Sequence, residues 1–121
     1  MGNYKELLVW QKSVHFVTEI YTYTKNFLKE EIYALTNQIR RSAVSIPSNI
    51  AEGHSRRSTL GYIQFLKIAR GSCAELETQL IISRNLNYLS LENFQKLSEA
   101  TSEIAKMLNA IITKLQSNPN P

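Results

Sequence analysis

Six cationic side chains lie between Thr36 and Ser72: Arg40, Arg41, Arg56, Arg57, Lys67 and Arg70. The same span holds one anion, Glu52, while the rest of the chain carries eight cations and nine anions. The net charge of +4 therefore belongs to one part of the sequence. Arginine offers a planar fork of donors that matches phosphate and carboxylate oxygens, so this pattern suits contact with phosphates as charge, without reading base sequence. The competing reading is ordinary solvated cations, some paired with Glu75 or Glu77. Arg40 and Arg41 are adjacent, hence about 100° apart on a helix, and either could serve a subunit contact instead. Lys67 and Arg70, three residues apart, share a helix face.

Between the arginine pairs runs SIPSNIAEG. Pro47 removes an N–H and costs roughly 3 kcal/mol inside a helix unless the fold uses it. Ser48, Asn49 and Glu52 could face a ligand or another subunit. Alternatively, Ser45, Ser48 and Asn49 satisfy backbone groups freed by the proline, and Glu52 pairs with an arginine.

Other chemistries find little support. A di-iron bundle needs Glu-x-x-His motifs, and neither His15 nor His54 follows a glutamate by three. His15 and Glu19, four apart, read as a surface contact. Cys73 is the single cysteine, without a base at fixed spacing, and sits on an apolar stripe. It reads as a small core residue. No phosphate loop, nucleophile elbow or dinucleotide fingerprint is present. The expectation is a protein that is not an enzyme and carries no cofactor or metal. With one thiol, no apolar leader and no 18-residue apolar run, the chain is expected to be soluble and cytoplasmic, without a membrane partner.

The elements that must position these groups are helices. The chain has 121 residues with only 4 glycines and 3 prolines, and scarce turn signals favour a few long helices. Helix 1 is expected from about Tyr4 to Thr24, capped by Asn3 with Glu6 in a capping box, its buried stripe being Leu7, Trp10, Val14, Val17 and Tyr21. Helix 2 is expected from near Glu30, with Ile32, Leu35, Ile39, Ala43, Ile46 and Ile50 inward. That stripe crosses Pro47 in phase, which favours one kinked helix, ending at Gly53. Helix 3 is expected from Ser58 to about Asn87, with Tyr62, Leu66, Ala69, Cys73, Leu76 and Leu80 inward and Phe65 and Ile68 beside them. Helix 4 is expected from Leu91 to about Gln116, capped by Ser90, with Phe94, Leu97, Thr101, Ile104, Leu108, Ile111 and Leu115 inward. Together these give an all-α, antiparallel up-down four-helix bundle over residues 4–116. Residues 117–121 form a disordered tail. Trp10 and the six tyrosines could stack on bases, but most of the tyrosines lie on or beside apolar stripes, so core or interface duty is the expectation.

Three runs, YKELLVWQKSV, EEIYALTNQIRRSAVSIPSNIAEGHSRRS and FLKIARGSCAELETQL, carry a resemblance to the bacterial four-helix-bundle family associated with intervening sequences in 23S rRNA genes. It covers about Tyr4 to Leu115. The resemblance implies a bundle that assembles into a homo-pentameric barrel. The family is similar to the accessory variability determinant of diversity-generating retroelements, which implies a basic surface for RNA or DNA and a reverse transcriptase or other protein partner.

Overall fold

A computed structural model describes residues 2–117. Four helices follow in order: α1 (Leu8–Thr24), α2 (Leu35–His54), α3 (Thr59–Asn85) and α4 (Leu91–Ser117). Short 3-10 turns at Tyr4–Glu6 and Lys29–Glu31 precede α1 and α2, and no strand occurs among the described residues. Each helix packs on its neighbour in sequence, and α1 closes the bundle against α4. Ser117, expected in the tail, is the last residue of α4. The rest of the expected tail, residues 118–121, lies outside the described residues.

Serine caps two helix starts as expected. Ser58 Oγ accepts from Gly61 N–H at 3.0 Å, and Ser90 Oγ from Asn93 N–H at 3.1 Å. Each satisfies a donor with no intrahelical partner. The end of α3 is a Schellman motif. Asn87 takes a left-handed φ of 64°, Tyr88 N–H reaches Ser83 C=O at 2.9 Å, and Asn87 N–H reaches Arg84 C=O at 3.0 Å. Asparagine tolerates this conformation, so the turn is made without glycine.

The core is one apolar column. Ile39, Ala43, Ile46 and Ile50 of α2 meet Leu66, Ala69, Leu76 and Leu80 of α3, with Leu97 and Leu108 of α4 closing it. The α2 helix runs unbroken through Pro47, as the in-phase stripe predicts. Its start differs from expectation. Lys29–Glu31 is a 3-10 turn, Ala34 is non-helical (φ −126°, ψ −107°), and α2 begins at Leu35 rather than Glu30. Ile32 is left about half exposed. The chain must reverse after Thr24 while seating both Phe27 and Leu35 in the core, and tertiary burial outweighs helix propensity over so short a run. Tyr88 braces this turn from the α3–α4 connection: its ring lies 5.3 Å from that of Phe27 and its hydroxyl donates to Glu31 Oε2 at 2.7 Å. That bond to a carboxylate pushes the phenol above its usual range.

The α1 face is also corrected. Buried there are Val9, Ser13, Phe16, Ile20 and Thr24, whereas Val14 and Tyr21 are exposed and Leu7, Trp10 and Val17 only half-buried. The helix is rotated by about one residue step, 100°, from the expected stripe. The polar members of the buried face are self-satisfied: Ser13 Oγ donates to Trp10 C=O at 3.0 Å and Thr24 Oγ1 to Ile20 C=O at 2.7 Å. Burying a hydroxyl is inexpensive once it is hydrogen-bonded. Asn3 does act as a cap, but of the Tyr4–Glu6 turn, with its Oδ1 accepting from Lys5 N–H at 2.8 Å.

Gly53 does not end α2, which continues through His54, and no glycine has a positive φ. Its role is close approach. A Cβ there would lie 2.6 Å from Phe65 Cβ and 3.2 Å from the Tyr62 carbonyl oxygen. Cys73 is a core residue, 3% exposed. Burial, with a smaller contribution from the Glu77 carboxylate, pushes its thiol up to about 12 from 9.0. Because the folded pKa lies above the unfolded one, the folded state keeps its proton where the unfolded chain loses it. This contribution to stability is full below about pH 9 and falls as pH rises toward 12. Iodoacetamide at pH 8 is expected to leave the native thiol unmodified for hours and to alkylate it rapidly in 6 M guanidinium.

Candidate nucleic-acid interface

The six cations do not form one patch. Arg40 and Arg41 lie in the first half of α2, whereas Arg56 and Arg57 follow its C-terminus, about 24 Å away along the axis at 1.5 Å per residue. Lys67 and Arg70 are on α3. Lys67 borders a shallow groove of about 460 Å³ with Leu60, Ile63 and Ile68. Arg70 turns toward α4, donating to Asn109 Oδ1 at 2.9 Å.

Two ion pairs form among the described residues, Lys12–Glu103 at 3.0 Å and Arg56–Glu52 at 2.9 Å. Glu52 thus has the arginine partner anticipated for it, four residues on. The pairing with Glu75 or Glu77 is not found. Glu77 stands one turn beyond Cys73, and Glu75 borders a polar groove beside Arg41 without closing an ion pair. The guanidinium of Arg56 also lies over the Phe65 ring, 4.6 Å from its centroid. Arg57 and Lys67 are exposed and make no side-chain hydrogen bond among the described residues.

The SIPSNIAEG run works mainly inside the α2–α3 contact. Asn49 Nδ2 donates to Ser45 C=O at 2.8 Å and to Ser45 Oγ at 2.9 Å, and Ser72 Oγ of α3 donates to Ser45 Oγ at 2.9 Å. The carbonyl orphaned by Pro47 belongs to Ala43, so Asn49 supports a neighbouring turn rather than the freed group. Pro47 is buried and Ser48 exposed.

A concavity of about 730 Å³ lies between the end of α1, the connection and α2, and both Arg40 and Arg41 line it. Both come from α2 and diverge by about 100°, Arg40 toward the α1–α2 connection and Arg41 toward the neighbouring groove that Glu75 and Gln79 line. Arg40 is fixed: its Nε donates to Thr24 Oγ1 at 3.0 Å and its guanidinium lies 4.5 Å over the Tyr21 ring. Tyr21 and Tyr33 also line this groove, and Tyr33 is 93% exposed. The stripe expected for α1 turns Tyr21 inward, and core or interface duty is the general expectation for the tyrosines. The available signal was that Tyr33 falls off the Leu35–Ile39 stripe, and that a correct phase for α1 turns Tyr21 outward. No group of three or more His, Cys, Asp or Glu residues comes together among the described residues, so His15 and Glu19 remain a lone pair. No described helix is long and apolar enough to cross a membrane.

Fold and surface together define a small four-helix-bundle protein with arginines distributed over its outer grooves. The chain belongs to the family of 23S rRNA-intervening sequence proteins, whose pattern matches residues 5–110. It is similar to a protein of unknown function from the S23 ribosomal protein family of Bacteroides thetaiotaomicron, known from a crystal structure. The two are 30% identical with a TM-score of 0.79, over 87% of this chain and 98% of the other. Among curated proteins there is no significant match.

Proposed function

We propose that this protein is a cytoplasmic, non-enzymatic nucleic-acid-binding module. It contacts RNA or DNA through Arg40, Arg41, Arg56, Arg57, Lys67 and Arg70 as charge, and it works as a homo-oligomer. The observation that carries the reading is that five of these six cations have no carboxylate partner among the described residues. Uncompensated cations are the groups that release counterions from a phosphate backbone. The name of the family, which refers to intervening sequences in 23S rRNA, supports a nucleic-acid reading. The resemblance set out above supports a pentamer and a reverse transcriptase or other protein as partner. Five copies of a weak contact would add avidity that one copy lacks.

The test is a salt titration of binding to labelled RNA and DNA. Affinity is expected to fall steeply between 50 and 200 mM salt, and Arg56→Ala/Arg57→Ala to flatten the log–log slope by roughly one to two. A purified protein that binds neither polymer at 50 mM salt would sink the proposal.

A second reading is an interaction oligomer without nucleic acid. It draws on the exposed apolar residues Tyr21, Ile32, Tyr33 and Val44 beside Arg40 and Arg41, and on Leu60, Ile68 and Ile82 along α3. Exposed apolar groups gathered near arginines are interface material. In that case Arg40→Ala or Arg41→Ala should lower the mass seen by light scattering, and an unchanged mass in both variants counts against it.

A further inference from the structure

The arginine with the most defined geometry is Arg40, at the groove between α1 and α2. Thr24 holds its Nε and the Tyr21 ring backs its plane. Its two Nη groups, however, have no protein acceptor among the described residues. A guanidinium fixed on one edge and free on the other has already given up its rotamer freedom, and the free edge matches two oxygens of one anion. Arg41, the next residue of α2, lines the same groove, which thus holds two cations and no carboxylate. Glu75 lines the adjoining groove beside Arg41. On its other side Arg40 borders a smaller pocket of about 220 Å³ edged by Lys25 and Lys29. Glu30 and Glu31 of the connection line neither cavity, and Glu31 is occupied by the Tyr88 hydroxyl.

An anion alone would not need the remaining feature, the ring of Tyr33. It stands 93% exposed at the rim of the groove, with no aromatic, cationic or hydrogen-bonded partner among the described residues. A solvated aromatic ring next to fixed cations is the arrangement that single strands use: bases stack on the ring while the backbone follows the charge. We infer that the α1–α2 groove seats one nucleotide unit of a single-stranded nucleic acid, its phosphate on Arg40 and Arg41 and its base stacked on Tyr33. The strand continues past Arg40 toward Lys25 and Lys29. This rests on the nucleic-acid reading above and makes it selective for single strands, since a paired base reaches Tyr33 only at the cost of unpairing and unstacking.

The test uses the full chain and a fluorescein-labelled 12-nucleotide oligo(A) RNA, with a 12-base-pair duplex beside it, read by anisotropy at fixed salt. Tyr33→Ala is suited to this because the side chain is nearly fully exposed and its loss should leave the fold intact. It is expected to weaken single-strand binding about tenfold, the loss of one stacked base, with little change in salt slope or in duplex binding. Tyr33→Phe is expected to keep wild-type affinity. The inference is overturned if Tyr33→Ala binds the single strand like wild type while Arg56→Ala/Arg57→Ala does not, a result that leaves the broader nucleic-acid reading standing. It is also overturned if the duplex loses affinity in parallel, or if Tyr33→Ala lowers the mass by light scattering, which would assign the groove to contact between copies. If the wild type binds neither probe, the proposed function falls and this inference with it.

Discussion

Replacing Phe16 by alanine is expected to destabilise the protein by about 3–5 kcal/mol in urea or thermal denaturation, whereas Val14→Ala should stay within about 0.5 kcal/mol. Phe16 is 1% exposed and Val14 38% exposed, and the two sit on different faces of α1. Truncating Phe16 removes the transfer energy of a full ring and leaves a cavity that the close-packed α1, α2 and α4 side chains can only partly fill. A domain of this size has about 5–15 kcal/mol in total, so the Phe16 variant is expected to melt many degrees lower. The comparison separates two phases of one helix. If Val14→Ala proved the costly change, the face described for α1 would be wrong.

The second large effect concerns glycines in helix interiors. Alanine is normally favoured over glycine there by about 1 kcal/mol. Gly71, with nothing within 4 Å of a built Cβ, should follow that rule, and Gly71→Ala is expected to stabilise by about 0.5–1 kcal/mol. Gly53 should reverse it. The 2.6 Å approach to Phe65 Cβ involves an atom fixed to the α3 backbone, and the Tyr62 carbonyl at 3.2 Å is backbone itself. Neither can swing aside, so α2 and α3 must separate. Overpacking of this kind costs about 1–3 kcal/mol, and after the propensity gain a net loss of about 1–2 kcal/mol is expected for Gly53→Ala, with Gly53→Val worse. A chemical-denaturation midpoint for Gly53→Ala at or above wild type would show that the helices part more easily than the contact implies.

These two sites mark where the sequence was and was not readable. The number of helices, their order, the serine caps at Ser58 and Ser90, and the passage of α2 through Pro47 were legible, because each depends on residues within a few positions of one another. The middles of the α2, α3 and α4 stripes were legible, but at their ends Ile32 is exposed and Ile112 is buried where Ile111 was expected. The stripe of α1 was not legible. Leu7, Trp10, Val14, Val17 and Tyr21 are the longer apolar series, yet Val9, Phe16 and Ile20 are buried with two hydroxyls. Local pattern counts apolar residues. Burial also depends on whether Ser13 and Thr24 can satisfy themselves from their own helix, and on what lies opposite. Gly53 was read as a terminator because glycine ends helices often. Its part in helix approach needs the position of Phe65, twelve residues later.

The candidate site divides in the same way. The excess of arginine between Thr36 and Ser72 is a property of the sequence alone, as are the absence of Glu-x-x-His motifs and the identity of the family. The distribution of those arginines is not. Only packing decides that Arg40 and Arg41 border a groove with Tyr21 and Tyr33 and that Arg70 is engaged with α4. Helical spacing sets the angle between neighbouring residues. It leaves open which direction faces water, because that is fixed by the partner helix. The surface ring of Tyr33 and the held guanidinium of Arg40 depend on where the chain reverses between α1 and α2. That turn is set by seating Phe27, Leu35 and Tyr88 together, an energy that no local stretch of the chain contains.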